Sequence, residues 1–335
     1  MPHPNSIRTD IFNTDSAAFE ETALRVFLYQ YEHTAFYRTY CNTIRIDPVR
    51  VDSLEKIPFL PIQFFKSATI TSGDFVPQVI FESSGTTGSV NSRHLLKDTG
   101  FYEESFLKTF GLFYGDIQDW CIIGLLPSYL ERKSSSLVYM VNELIRRSGH
   151  ASAGFYLYEH QQLHDTLLAN ETAGQKTLLI GVTYALLDFA ASYRMQLNHT
   201  VVMETGGMKG RREELTRAEV QGILKDKLGL KKVHSEYGMT ELLSQAYSLG
   251  EGIFQCPPWM KVLLRAEDDP FEITIPEKML VESKGGVTNI IDLANLYSCS
   301  FIATDDIGKL YSNGHFEILG RLDNSDIRGC GLMIN

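Results

Sequence analysis

Residues 78–89 read QVIFESSGTTGS, an apolar run from Gln78 to Phe81 followed at once by Ser83-Ser84-Gly85-Thr86-Thr87-Gly88. The run predicts a strand, and the hexapeptide predicts the loop that leaves it. Its glycines open backbone conformations closed to other residues, and its hydroxyls and exposed amides suit the wrapping of an oligophosphate. The Gly-Lys-Ser/Thr ending of a Walker loop is missing, and no lysine follows Gly88. Read alone, the hexapeptide also fits a surface turn, the lesser of the two readings, so the rest of the chain must decide.

Downstream, from Trp120 to about Leu249, apolar runs at 121–126, 177–182 and 201–203 alternate with helical stretches near Ser135, Tyr184 and Glu213. That rhythm predicts parallel strands with crossover helices. Beyond Cys256 the helical pattern stops, and runs at 260–265, 271–275, 287–291 and 315–319 predict antiparallel strands. Upstream, Phe19, Leu24, Phe27, Tyr31 and Phe36 recur at helical intervals after Asn13, Thr14 and Asp15, which predicts one amphipathic helix over about 16–41. The fold class is therefore α/β. A body with a mostly parallel sheet flanked by helices is expected over 1–250, and a β-rich, barrel-like subdomain over 251–335. Neither an internal repeat nor a long linker interrupts the pattern.

A chain of 335 residues, 44% hydrophobic and 11% aromatic, can bury a large core without staples. The net charge of -10 with no basic block leaves a nucleic-acid partner no electrostatic footprint. Five widely spaced cysteines with no CxxC pair argue against zinc and for a reducing compartment. The polar N-terminus MPHPNSIRTDIF lacks an apolar signal core, and the longest apolar stretch is interrupted by Thr183 and Asp188. A cytoplasmic protein with no membrane span is expected.

Three further segments carry chemical groups. Tyr237-Gly238-Met239-Thr240-Glu241 follows a short strand and precedes an apolar run that reads as a helix. A ring, a hydroxyl and a carboxylate leaving such a turn suit a base, a phosphate and a divalent cation. Equally, Thr240 would cap that helix and Glu241 would favour its positive end. Ala303-Thr304-Asp305-Asp306-Ile307-Gly308 reads as a turn whose carboxylate can accept from two ribose hydroxyls. Gly320-Arg321-Leu322-Asp323 adds a cation able to reach a ribose or a phosphate.

Taken in order, these segments resemble the signature motifs of the adenylate-forming superfamily of acyl-CoA ligases, adenylation domains and luciferases. The resemblance is closer to the LuxE-type acyl-protein synthetases and the related phenylacetate-CoA ligases. It rests on FESSGTTGS (81–89), METGGMKGRREELTR (203–217), HSEYGMTE (234–241) and GRLDNSDIRGCGLM (320–333). It implies ATP and Mg²⁺, with Ser84, Gly85, Thr86, Thr87 and Gly88 gripping the β- and γ-phosphates. Tyr237 would stack on adenine in a pocket lined by Gly206 and Gly207, and Thr240 would contact the α-phosphate. Glu241 would ligate Mg²⁺. Asp306, rather than Asp305, would bind the ribose with help from Arg321.

The implied reaction joins a carboxylic acid, expected to be a fatty acid, to AMP with release of pyrophosphate. The acyl group would then pass to a protein thiol, for which Cys330 in Arg328-Gly329-Cys330-Gly331 is the candidate by position. An adjacent arginine favours a thiolate there. Coenzyme A is the alternative acceptor, and an acyl-reductase is an implied protein partner. A non-catalytic nucleotide-binding subunit of such a reductase complex is the reading from another class.

Two departures from the family pattern stand out. The loop continues Ser89-Val90-Asn91-Ser92-Arg93-His94 where most relatives have Pro-Lys, so Arg93, or Lys97 further on, must supply the cation. The small C-terminal lid domain and its lysine have no counterpart after Arg321; Lys209, Arg211 and Arg212, or a partner, are candidate substitutes, and slower catalysis or a different cation is the favoured alternative.

Overall fold

The computed structural model describes residues 4–83, 90–126, 133–206 and 215–322. The chain opens with helices α1 (Pro4–Phe12), α2 (Phe19–His33) and α3 (Ala35–Thr43), the short strand β1 (Leu60–Pro61) and the single-turn helix α4 (Phe64–Ser67). A hairpin of β2 (Val79–Glu82) and β3 (Arg93–Leu96) follows. The alternating region comprises α5 (Thr99–Tyr114), β4 (Cys121–Leu125), α6 (Ser136–Ser148), β5 (Gly154–Phe155), α7 (His160–Ala173), β6 (Thr177–Gly181), α8 (Thr183–Ser192), β7 (Thr200–Glu204), α9 (Arg217–Leu228) and β8 (His234–Tyr237). The chain then runs through β9 (Ala246–Ser248), β10 (Phe254–Gln255), β11 (Met260–Arg265), β12 (Ile273–Thr274), β13 (Ser283–Asp292), β14 (Phe301–Tyr311) and β15 (Phe316–Arg321).

Local chemistry explains where these helices begin and end. In α9, Thr216 and Glu219 form a reciprocal capping box, and Gly229 ends the helix in the left-handed region. Ser135 caps α6 by accepting from Val138 N, and Asp98 caps α5 by accepting from Gly100 N.

Strands β5, β4, β6, β7 and β8 pair in parallel, and from β8 onward the pairing turns antiparallel without a break in the hydrogen-bonded sheet. Along β4, Ile122 packs with α5 and α6 on one face, while Cys121, Ile123 and Leu125 meet α7, α8 and α9 on the other. Alternation of side chains across a strand thus feeds two cores, as a parallel sheet covered on both faces requires. Full burial of each large side chain, such as Phe106 or Leu186, contributes roughly 1.5–3 kcal/mol.

The structure corrects three local expectations. The opening helix is two helices, broken at Thr34, whose hydroxyl is buried against Ser72 Oγ at 2.6 Å. Residues 303–308 lie within the long strand β14 and are not a turn. No helix follows Glu241. The Gly238–Gln245 stretch is an irregular loop between β8 and β9, because Asp292 captures it: Leu243 N and Ser244 N donate to Asp292 Oδ2 at 2.6 and 2.9 Å, and Ser244 Oγ donates to Oδ1 at 2.6 Å. A buried carboxylate draws these amides away from the ladder a helix would need.

Candidate functional site

The site lies where β7 and β8 end, at the edge where open α/β sheets bind ligands. Tyr237, the last residue of β8, donates its hydroxyl to Asp306 Oδ2 at 2.7 Å. Its ring leans on Phe254 and Phe316, with centroids 5.9 and 5.5 Å away. Burial and the neighbouring Asp306 push its pKa far up, so the phenol stays a donor. Asp306 on β14 is paired in register with Arg321 on β15, whose Nε stands 3.2 Å from Asp306 Oδ1. Three strands thus deliver an aromatic ring, a nearly buried carboxylate and an exposed cation to one spot.

Gly206 follows β7 at φ +71°, and a Cβ there would meet nothing within 4 Å, so the backbone borders open space. Its amide donates to Glu204 Oε2 at 3.3 Å. Glu204 also accepts from Thr183 Oγ1 at 2.9 Å and Ser235 Oγ at 3.1 Å, which ties the ends of β6, β7 and β8 together. Gly238 is needed for a different reason, since a Cβ would collide with the carboxylate of Glu236. Burial, followed by the charge of Glu204, pushes the Glu236 pKa up to about 8.

With no helix after it, Thr240 has nothing to cap, and the plain reading of that residue falls away. Its carbonyl accepts from His94 Nδ1 at 2.8 Å, and His94 Nε2 meets Asn295 Oδ1 at 2.9 Å. Asn295 Nδ2 donates to the carbonyls of Glu241 at 2.7 Å and Cys299 at 2.9 Å, which fixes its amide direction. Both nitrogens of His94 therefore face acceptors, yet burial wins over these contacts and pushes its pKa down to about 4. His94 and Asn295 clamp the loop that presents Thr240 and Glu241 to the base of the β2–β3 hairpin.

Glu241 is only 5% exposed and forms no ion pair among the described residues. Burial raises its pKa, opposed by the Ser92 hydroxyl and, more weakly, by the charges of Arg321 and Lys66. One buried acid of this kind fits Mg²⁺, which takes one or two carboxylates and completes its shell with phosphate and water. Among the described residues no cluster of three or more His, Cys, Asp or Glu could hold a metal by itself.

Arg93 sits at the opening of the hairpin, exposed, with Nε 3.7 Å from Glu82 Oε1. It is not brought to Thr240 or Asp306. Lys97 instead lies 4.4 Å over the Tyr297 ring. Ser84, Gly85, Thr86, Thr87, Gly88, Gly207, Lys209, Arg211, Arg212, Asp323 and Cys330 lie outside the described residues. Cys121 and Cys299 are fully buried core residues, as their apolar surroundings predict.

Sequence reasoning missed Glu204, Asp292, Asn295 and Lys66, and gave His94 no role. Lys66, on α4, makes no ion pair among the described residues, while its neighbour Phe65 packs edge-on against His94 with centroids 5.9 Å apart. Nothing in local pattern marks these residues, because their partners stand as many as 201 positions away.

Residues 11–100 match the family described as acyl-protein synthetase, LuxE. No curated protein matches the chain. Among solved structures, the AtGH3.15 acyl acid amido synthetase in complex with 2,4-DB is similar with a TM-score of 0.56 and 11% identity, covering 97% of this chain and 71% of that one. The luciferase-like enzyme of the mealworm Zophobas morio is similar with a TM-score of 0.51 and 15% identity, over 76% of this chain and 60% of its own. A long-chain-fatty-acid-CoA ligase from Archaeoglobus fulgidus gives 0.50 and 15%, over 72% and 51%. The chain thus spans about half to three fifths of the last two. No helix among the described residues is long and apolar enough to cross a membrane. The chain has the fold of the adenylate-forming enzymes, and its residues 11–100 match the LuxE family of acyl-protein synthetases.

Proposed function

We propose that this protein activates a carboxylic acid with ATP and passes the acyl group to a thiol. The observation that carries the reading is the convergence of Tyr237, Asp306 and Arg321 from three strands beside the buried acid Glu241. In the first step a carboxylate oxygen attacks the α-phosphorus of ATP, and pyrophosphate leaves with the electron pair of the broken P–O bond. In the second, a thiolate attacks the acyl carbon and AMP leaves. Asp306 accepts from the ribose hydroxyls in exchange for its contacts with Tyr237 and Arg321. Tyr237 supplies an aromatic face for the base, Gly206 permits close approach, and Thr240 donates to a phosphate oxygen. Glu241 would hold Mg²⁺, which when bound neutralises phosphate charge. Such positioning and neutralisation provide most of the rate in phosphoryl chemistry.

The LuxE match is to acyl-protein synthetases, which supports a protein as the acyl acceptor. We read a fatty acid as the substrate, Cys330 as the thiol, an acyl-reductase as the partner and the cytoplasm as the place of work. Fold likeness to a long-chain-fatty-acid-CoA ligase keeps coenzyme A in view, and likeness to an acyl acid amido synthetase adds an amine.

Acid-dependent exchange of labelled pyrophosphate into ATP, across a panel of fatty and aryl acids, tests the first step. No exchange with any acid, while ATP still binds, would leave a nucleotide-binding subunit as the better reading. Intact-protein mass spectrometry then reads the acceptor. A Cys330→Ser variant that keeps exchange but loses the protein-bound acyl group supports self-acylation. Acylation persisting in that variant would sink it.

A further inference from the structure

Strand β8 presents two faces. Ser235 and Tyr237 lie on the one that meets Glu204 and Asp306, and Glu236 lies on the other, with Gly238 beyond it. Across the ladder Glu236 pairs with Tyr247 and Tyr237 with Ala246, so Gln245, just ahead of β9, comes beside Gly238 on the Glu236 face. A Cβ on Gly238 would collide with Glu236 Oε1 and stand 3.3 Å from Gln245 Cγ, so both side chains close on the space that glycine leaves free. Tyr102 of α5 and Tyr247 each feel the charge of Glu236, after their own burial, which places them around the same space.

The polar groups of this space are acceptors without donors. Glu236 makes no hydrogen bond or ion pair among the described residues. Burial and then the charge of Glu204 both push its pKa up, and no cation offsets them. Gln245 is 4% exposed, and its Oε1 is buried with no partner. The nearby Tyr102 hydroxyl is committed elsewhere, donating to Ser136 O at 3.0 Å. A buried polar group left unpaired costs about 1–3 kcal/mol, yet two of them border one glycine. Glu236 keeps part of its surface open to solvent while burial still governs its titration, the combination of a group on the floor of a cleft. Thr240 follows Glu236 by four residues, so the two Cα atoms are at most about 14 Å apart. A molecule whose carboxylate sits by Thr240 therefore meets Glu236 with its near portion.

We propose that Glu236 and Gln245 form a specificity subsite for a hydrogen-bond donor, an ammonium or a hydroxyl, carried by the carboxylic acid that the protein activates. The subsite rests on the adenylation proposed above and narrows its substrate to an acid with a polar substituent near the carboxyl end. A plain hydrocarbon chain would leave both acceptors unpaired and dry, and a site built to receive a donor rejects the analogue that lacks it.

The test measures acid-dependent exchange of labelled pyrophosphate into ATP by the full chain, as kcat/KM for hexanoate, dodecanoate and benzoate, each beside hydroxy and amino derivatives substituted within the first six carbons. At least one derivative should exceed its parent about twenty-fold, and the leading series tells a hydroxyl from an ammonium. Glu236→Leu should cut that ratio about ten-fold, lowering exchange with the derivative and raising it with the parent. Leucine replaces an unpaired carboxylate with an apolar group, so Tm should hold or rise. Gln245→Leu should cut the ratio about three-fold. Exchange that no substituent improves, or a ratio unchanged in Glu236→Leu, would overturn the subsite and leave the adenylation standing. No exchange with any acid, while ATP still binds, would overturn both.

Discussion

Tyr237 and Asp306 stand 69 residues apart in the chain, and the phenol of one donates to the carboxylate of the other at 2.7 Å. That bond, with Arg321 on the second oxygen, holds a nearly buried carboxylate aimed while both partners can yield to ribose hydroxyls. Asp306→Asn should therefore raise the ATP concentration for half-maximal exchange at least ten-fold, about 1.4 kcal/mol. Tyr237→Phe should raise it about three-fold, on the order of 0.7 kcal/mol. An Asp306→Asn protein within two-fold of the parent would remove the ribose role from Asp306.

Lys66 is the cation that tertiary structure adds to the site. It is exposed on α4, carries no ion pair among the described residues, and its charge is felt by Glu241. Lys66→Ala is expected to slow pyrophosphate exchange about a hundred-fold, on the order of 2.7 kcal/mol, with ATP affinity changed far less. Lys66→Arg should recover part of the rate. Equal exchange in the alanine variant would remove Lys66 from the reaction and turn the search for its cation to residues 207–214.

Asp292 decides the shape of the loop bearing Thr240 and Glu241, so its removal should act on stability and on the site together. Asp292→Ala leaves two amides and a hydroxyl without their buried acceptor. A cost on the order of 3 kcal/mol in urea unfolding is expected. Asp292→Asn retains one acceptor oxygen and should cost less than half of that.

Glu236 sets a pH dependence whose sign can be worked out. Its folded pKa, about 8, lies above its usual 4.5, so the unfolded chain releases the proton first as pH rises. The stability it contributes is complete below about 4.5 and is lost as pH climbs through 8. His94 and His234 act in the opposite sense. Each falls from 6.5 to about 4, chiefly by burial, and their contribution is lost as pH drops across that interval. The two effects oppose one another between about 4.5 and 6.5, where Asp292, raised by burial to about 6, adds to the Glu236 side, and between 6.5 and 8 the Glu236 slope leads. Tm should fall by several degrees from pH 6.5 to 8, and Glu236→Gln should flatten that fall. A parallel decline in the variant would show that another group governs it.

Local pattern alone was enough for the parallel strands at β4, β6 and β7, the helices α6 and α8 and the antiparallel strands beyond Cys256, but not for β5 and α7. Hydrophobic period and turn chemistry act over a few residues, and a sequence displays them directly. The order of the motifs and their resemblance to the adenylate-forming pattern also named Tyr237, Thr240, Glu241, Asp306 and Arg321, segments that one by one read as ordinary turns and caps. Tertiary structure decided how they meet. Thr304-Asp305-Asp306 reads as a turn, but in the sheet it is an irregularity inside β14, between Ala303 and Ile307, which pair with β13, and with Asp306 paired to Arg321 of β15; 241–245 reads as a helix until Asp292 claims its amides. Thr34 ends α2 because its hydroxyl finds Ser72 in the core. The clamp of His94 on Thr240 spans 146 residues, and that of Asn295 on Glu241 spans 54. A buried polar group takes whichever partner the packed fold brings within about 3 Å, and the cost of leaving it unpaired outweighs local propensity. For that reason the motifs are legible in the chain, while the network that aims them exists only once the sheet has closed around it.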